Sequence, residues 1–230
     1  MSSNTKLLFK IGKKKIALIV VFNFLILTFQ FIDYLKAEKV VMGVFNLLVF
    51  GSVQKPFLSY VFFPLICLET LLMFSKFSLY QLQNQSKITN LMKEIAKRSL
   101  LLVMTIMASG IPASILVTLI SKSEINILNE LVSIALYILM QAWIFVIGYL
   151  VVLIKQVNKK NLTAIALVML MIAINIYLVI FGQFSFGLGG LIYFKMSIKF
   201  LDLFFQIIEL ILFTVIVTEL SKWILEAADY

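Results

Sequence analysis

The chain has 230 residues, of which 62% are hydrophobic and 13% are charged, and its mean hydropathy is +1.07. Soluble domains are about half apolar and about a quarter charged, so this composition excludes an ordinary soluble domain and indicates a protein that is solvated by lipid. A membrane-spanning helix needs about 20 apolar residues, so the length allows about six spans with short loops, in a single transmembrane domain covering residues 1–230. The net charge of +9 then lies in the loops, where it indicates orientation and not nucleic-acid binding.

Residue types that carry catalysis and metal binding are scarce. The chain has no histidine and a single cysteine, Cys67, which excludes His-dependent triads, His-ligated metal centres and a disulfide framework. No GxxxxGK[ST] segment occurs, so nucleotide hydrolysis by the P-loop route is excluded as well. We therefore predict no catalytic residue, no metal site and no cofactor, and we do not expect an enzyme.

Apolar stretches long enough to cross a bilayer predict an all-α, polytopic membrane protein with six spans. The predicted spans cover residues 16–32, 56–75, 100–120, 131–154, 162–181 and 201–220. A basic segment at 1–15 precedes the first span and predicts an N-terminal amphipathic helix. The apolar stretch at 40–50 is about 16 Å long as a helix, half of the hydrocarbon core, so it either lies at the outer interface or re-enters the membrane. The Gly- and Phe-rich stretch at 182–199 is also too short to cross.

Basic residues are distributed unevenly between the two sides of the predicted bundle. With the N-terminus inside, 14 of the 20 Lys and Arg residues fall in inner segments and six in outer segments. Cytoplasmic loops of membrane proteins carry an excess of Lys and Arg. The count therefore predicts a multi-pass protein of the cell membrane with both termini in the cytoplasm.

The most polar segment between two spans is 86–98, SKITNLMKEIAKR. Its apolar residues Ile88, Leu91, Met92 and Ile95 recur at i, i+3, i+4 and i+7, which predicts a short amphipathic helix. Basic residues gather in its last turn, where they complement the helix dipole. Such a helix either lies on the cytoplasmic membrane surface or offers its apolar stripe to a groove of a partner protein.

Span six carries a polar stripe at i, i+4 and i+7, made of Asp202, Gln206 and Glu209. A carboxylate at the centre of a span costs about 2.5–3.5 kcal/mol on insertion scales, so Glu209 is expected to face protein or water. The functional interpretation is the lining of a translocation path, and Glu69 in span two is interpreted in the same way. The alternative is an interhelical hydrogen bond that joins Glu209 to Asn175 or Gln141.

The whole arrangement resembles the permease subunits of type-2 ABC transporters. The resemblance implies that 86–98 is a coupling helix between spans two and three, docked on a cytoplasmic ABC ATPase, and that 184–194 forms a re-entrant outer hairpin before span six. It also implies that the N-terminal helix lies along the membrane. The residues that the resemblance places at the ATPase contact are Ile88, Leu91, Met92, Ile95 and Lys97.

The resemblance implies the permease of an ATP-driven exporter, which pairs with a second permease, either the same chain or a sister chain. The small size and a composition with one arginine, Arg98, are similar to compact exporters of Gram-positive bacteria. By this analogy the cargo is an amphipathic or hydrophobic peptide, in toxin export or self-protection. Two alternatives stay open: a membrane immunity or binding protein that works without a motor, and the substrate-capture subunit of a vitamin importer.

Overall fold

The computed structural model describes residues 13–38, 42–52, 65, 88–121, 127–157 and 200–227. The regular secondary structure in these ranges is α-helical, in agreement with the all-α prediction. The five helices are α1 (Lys13–Glu38), α2 (Val44–Ser52), α3 (Ile88–Ser121), α4 (Ile127–Val157) and α5 (Phe200–Ala227).

Four of these helices, α1, α3, α4 and α5, are long and apolar enough to cross a membrane. They contain the predicted spans 16–32, 100–120, 131–154 and 201–220. Apart from the single residue 65, the predicted spans 56–75 and 162–181 lie outside the described residues, as do the hairpin 184–194 and residues 1–12 of the N-terminal segment. The described part of the chain is therefore a bundle of apolar helices, which indicates a membrane-embedded protein.

α3 differs from the sequence prediction at its start. We expected a separate amphipathic helix ending at Arg98 and a span beginning two residues later, but one helix of 34 residues runs from Ile88 to Ser121. The junction carries neither proline nor glycine, so nothing in it favours a break. In addition, the hydroxyl of Ser99 donates a hydrogen bond to the backbone carbonyl of Phe145 in α4, which holds the junction in the bundle. α3 is about 51 Å long, so it exceeds a hydrocarbon core of about 30 Å by about 20 Å, or about four turns.

α3 and α4 are joined by residues 122–126 and pack antiparallel with a very close approach at Gly148. A Cβ built on Gly148 would lie 2.8 Å from Leu102 Cδ2 and 2.9 Å from Ser99 Oγ, so any other residue there requires these side chains to shift. We call the end of the bundle at residues 121–127 the turn end, and the end at which α3 begins the basal end.

α4 and α5 run in the same direction. The rings of Trp143 and Phe213 lie with their centroids 5.6 Å apart, and further along both helices Tyr149 lines a groove together with Thr218. α4 is the most buried of the long helices. In its most apolar stretch of 18 residues, 72% of the residues are buried, against 22% in the corresponding stretch of α1 and 17% in that of α5. α4 therefore forms the centre of the described bundle, and the apolar outer faces of α1 and α5 remain open.

α2 corresponds to the stretch at 40–50 and is a short buried helix. Its nine residues measure about 14 Å, so it cannot cross a bilayer, and it packs against α1, α3 and α4. Its first residues contact Glu130 in the first turn of α4, and Gly51 near its other end lies against Phe31 in α1. Only five residues, 39–43, separate the end of α1 from the start of α2 beside Glu130, a reach of about 20 Å at most, so α1 also ends near the turn end and runs in the same direction as α3.

Candidate functional site

The basal extension, residues 88–98 of α3, is amphipathic as predicted, but its apolar stripe packs inside the chain. Leu91 is 4% exposed and Ile95 is 0% exposed, so both belong to the core. Ile88 and Met92 are half-buried and pack against the same core. The structure therefore keeps Leu91 and Ile95, two of the residues expected at the ATPase contact, away from the surface.

The open surface of the basal extension is polar and basic. Lys93 and Lys97 are exposed, and the side chain of Lys97 is 71% exposed. Lys97 Nζ lies 3.4 Å from Oε2 of Glu94, whose own side chain is only 9% exposed. A partner that reaches this end of α3 meets lysine ammonium groups, with the edge of Met92 beside them.

Charged side chains are also buried at the basal end. Glu94 is 7% exposed and Arg98, one helical turn later, is 6% exposed, while Lys155 in the last turn of α4 is 6% exposed. Gly148 lies beside Ser99, and the seven residues from Gly148 to Lys155 lead about 10 Å along α4 to the level of the basal extension. This buried charged layer was not predicted from the sequence, although opposite charges at i and i+4, as in Glu94 and Arg98, are a recognisable signal.

Polar side chains are buried near the middle of the bundle. Asn23 in α1 is 2% exposed and Gln141 in α4 is 7% exposed. Among the described residues, Asn23 Oδ1 and both amide atoms of Gln141 have no hydrogen-bond partner. The buried hydroxyls of Thr105 and Ser109 in α3 donate to carbonyls of their own helix, at 2.7 Å and 2.9 Å, and so leave these amides unpaired.

Asn23 and Gln141 lie at one level of the bundle. Asn23 lies one turn before Leu27, the α1 residue that meets Gly110 of α3, and Gln141 lies two turns before Gly148, which meets Leu102 of α3. Because α1 runs with α3 and α4 runs against it, both side chains come to the level of Ile106 in α3. An unpaired buried amide costs about 1–3 kcal/mol, so this amide layer offers hydrogen-bonding capacity to a polar group that enters the bundle.

The polar stripe of span six is turned toward the bundle, as expected for its second and third members. Gln206 is 7% exposed and donates from Nε2 to Glu209 Oε2 at 3.3 Å, and Glu209 is half-buried. The alternative hydrogen bond from Gln141 to Glu209 does not form, because the amide of Gln141 has no partner in the described helices. Asp202 lies in the first turn of α5 with its side chain outside the described part, and Glu69 and Asn175 lie outside the described residues.

Glu130 anchors the N-terminus of α2. Its Oε2 accepts the backbone N–H of Phe45 at 2.8 Å, and its Oε1 accepts that of Asn46 at 3.3 Å. Asn46 Oδ1 in turn accepts a hydrogen bond from the hydroxyl of Ser133. The residue before α2, Gly43, has no side chain to cap the helix, and a Cβ there would lie 2.1 Å from Glu130 Oε1. A carboxylate from α4 therefore replaces the missing N-cap and complements the helix dipole.

A groove opens between α3, α4 and α5 near the basal end. Its volume is about 290 Å³. We call it the basal groove, and its apolar walls are formed mainly by Met92, Ala96, Phe145, Tyr149 and Val217, with Thr218 beside them.

Within the described ranges no three His, Cys, Asp or Glu side chains come together as metal ligands. Comparison of the chain with protein family models, with curated proteins and with solved structures gives no match. The functional reading of the molecule therefore depends on its own geometry: a basic open surface at one end of α3, a layer of unpaired amides near the middle, and the Gln206–Glu209 pair.

Proposed function

We propose that the chain is the membrane-spanning permease subunit of an ATP-driven ABC exporter. It pairs with a second permease, the same chain or a sister chain, and with cytoplasmic ABC ATPase subunits that hydrolyse ATP for it. Both termini and the basal end lie in the cytoplasm. The cargo is an amphipathic or hydrophobic peptide, exported as a toxin or removed for self-protection.

The observation that carries this proposal is the continuity of α3. One helix joins the exposed lysines Lys93 and Lys97 to the level of Gly110, about 25 Å away. A push on the basal extension moves the centre of the bundle, because the close approach at Gly148 couples α3 to α4. In this proposal Lys93, Lys97 and the edge of Met92 meet the ATPase, whereas the buried Leu91 and Ile95 pass the movement to the core of the bundle.

The helix directions support the six-span arrangement within the proposal. α1 and α3 run in one direction, and α4 and α5 both run in the other. A chain that crosses twice in the same direction has to return in between, once within 53–87 and once within 158–199. These are the ranges in which the sequence predicts the spans 56–75 and 162–181.

In the proposed path, the cargo passes the inward-facing polar groups of the bundle. Gln206 and Glu209 on α5 and the amide layer on α1 and α4 supply hydrogen-bonding groups in otherwise apolar surroundings. A carboxylate such as Glu209 attracts cationic groups of an amphipathic peptide. Apolar side chains of the same peptide are accommodated by the surrounding helices.

A second candidate is a membrane immunity protein that binds a peptide without a motor. The burial of Leu91 and Ile95 favours it, because the apolar stripe that a motor was expected to contact is occupied within the chain. The two candidates differ in one requirement. Only the exporter needs the lysines of the basal extension for a protein partner.

Co-purification tests the proposed function. A tagged wild-type chain is expected to bring down a P-loop ATPase from its own cells, and Lys93→Glu with Lys97→Glu is expected to abolish this, because two attractive contacts become repulsive. The matched control is Lys15→Glu with Lys36→Glu, two exposed lysines of α1, which is expected to retain the ATPase. Membrane insertion of each variant is checked by fractionation. Absence of any P-loop ATPase with the wild-type chain contradicts the proposal and favours the motor-independent candidate.

A further inference from the structure

With the predicted spans in the bilayer, the basal groove lies near the level at which the bundle leaves the hydrocarbon core. Ala96 on α3 precedes the predicted span 100–120 by four residues, and Tyr149 and Val217 approach it from α4 and α5. The walls are almost entirely apolar, and the volume of about 290 Å³ is at the lower end of the range for small-molecule pockets. The groove therefore has room for part of one flexible apolar chain.

An uncompensated positive charge stands beside the basal groove. Lys93 lines the groove and is exposed, and it forms no ion pair with any residue that the structure describes. The neighbouring basal lysines are paired: Lys97 lies 3.4 Å from Glu94, and Lys222 lies 2.6 Å from Glu219. An anionic group at the mouth of the groove would thus meet Lys93 without competition from a carboxylate of the described helices.

The position of Lys93 matches the headgroup layer of a bilayer. It precedes the start of the predicted span by seven residues, which is about 10 Å along α3. The polar region of each leaflet is about 5–8 Å thick, and a lysine side chain is long enough to reach back from that distance to the phosphates. Positive pockets between helices at this level are sites where anionic lipid headgroups bind.

We propose that the basal groove binds one anionic phospholipid, with an acyl chain between α3, α4 and α5 and the phosphate at Lys93. The apolar walls account for the acyl chain, and the unpaired ammonium accounts for the preference for a negative headgroup. This binding holds whether or not the chain works with an ATPase, because it needs only the described helices and a bilayer. If an ATPase does bind the basal extension, the bound lipid lies directly beside that contact.

Native mass spectrometry of the purified full chain, without any ATPase, tests the lipid site. The probes are phosphatidylglycerol, which is anionic, and phosphatidylcholine, which is zwitterionic. The wild-type chain is expected to retain one phosphatidylglycerol and to prefer it over phosphatidylcholine by about fivefold, the effect of one lysine near an anionic lipid. Lys93→Gln is expected to remove this preference. Ala96→Phe, which fills the groove, is expected to lower the retention of both lipids.

Lys15→Gln is the matched control, because Lys15 is an exposed lysine at the same end of the bundle but on α1. It is expected to bind phosphatidylglycerol as the wild type does. Equal retention of the two lipids by the wild type, or an equal loss in Lys15→Gln and Lys93→Gln, overturns the proposal. Should Ala96→Phe fail to fold, the comparison of Lys93→Gln with Lys15→Gln still tests the lipid site. Both variants replace exposed side chains, so both are expected to fold.

Discussion

Gly148→Leu is expected to lower the free energy of unfolding by about 3 kcal/mol, at the upper end of the usual cost of overpacking. The new side chain would enter the space held by Leu102 and Ser99, which lie within 2.9 Å of the position of a Cβ. Leu102 is 0% exposed and the hydroxyl of Ser99 is bonded to α4, so a leucine at 148 is expected to push α3 and α4 apart. Because α3 and α4 form the centre of the bundle, the whole fold loses stability.

The measurement is reversible unfolding in mixed micelles, with Gly148→Ala and Gly110→Ala as graded controls. A Cβ at Gly110 would lie 3.2 Å from Leu48 Cδ2, the flexible end of a side chain, so Gly110→Ala is expected to cost least. Gly148→Ala is expected to fall between the two other variants. A Gly148→Leu chain as stable as the wild type would show that α3 and α4 do not approach closely at this point.

Glu130→Ala is expected to destabilise the protein by about 2–3 kcal/mol and to release α2. The carboxylate accepts two backbone N–H groups of Phe45 and Asn46, and hydrogen bonds to charged groups contribute about 1.5–3 kcal/mol. Gly43 cannot replace it, because glycine has no side-chain acceptor. Glu130→Gln keeps one acceptor oxygen without the charge, so its loss of stability is expected to be smaller.

Hydrogen exchange at the Phe45 and Asn46 amides reports the release of α2 directly, and unfolding in mixed micelles reports the stability. Glu219→Ala is the control, because Glu219 is exposed and its only described bond is the surface pair with Lys222. This control is expected to leave both readouts unchanged. Unaltered exchange at Phe45 and Asn46 in Glu130→Ala would mean that the carboxylate does not cap α2.

Helix type and approximate position could be predicted from the sequence wherever the apolar stretch was long. The predicted spans 16–32, 100–120, 131–154 and 201–220 each lie within a long helix, because hydropathy over about 20 residues carries that information. The helix ends were less predictable. The polar residues of 86–98 end the hydrophobic stretch but favour helix as strongly as the span does, so α3 continues through them.

Contacts between distant parts of the chain could not be predicted from the sequence pattern. Glu130 caps a helix more than 80 positions away, and capping rules apply to residues adjacent in sequence. The burial of Leu91 and Ile95 depends on how the rest of the chain packs, since an apolar stripe looks the same whether it faces its own chain or a partner. The inward position of Gln206 and Glu209 was easier to predict, because polar residues in the apolar part of a span favour contact with protein.

The proposed mechanism places a basic, motor-facing end of α3 in the cytoplasm and the turn end outside the cell. The side of the membrane on which the basal extension lies can be measured with a single cysteine. Cys67 is first replaced with alanine, and Asn90, which is exposed in the basal extension, is then replaced with cysteine. The matched position is Ile127 at the turn end, which is 76% exposed.

Labelling with a membrane-impermeant maleimide is compared on intact cells and on permeabilised cells. We predict that Ile127→Cys is labelled on intact cells, whereas Asn90→Cys is labelled only after permeabilisation. Labelling of Asn90→Cys on intact cells, with Ile127→Cys protected, would place the basal extension outside the cell, where no cytoplasmic ATPase can reach it, and would contradict the proposed function.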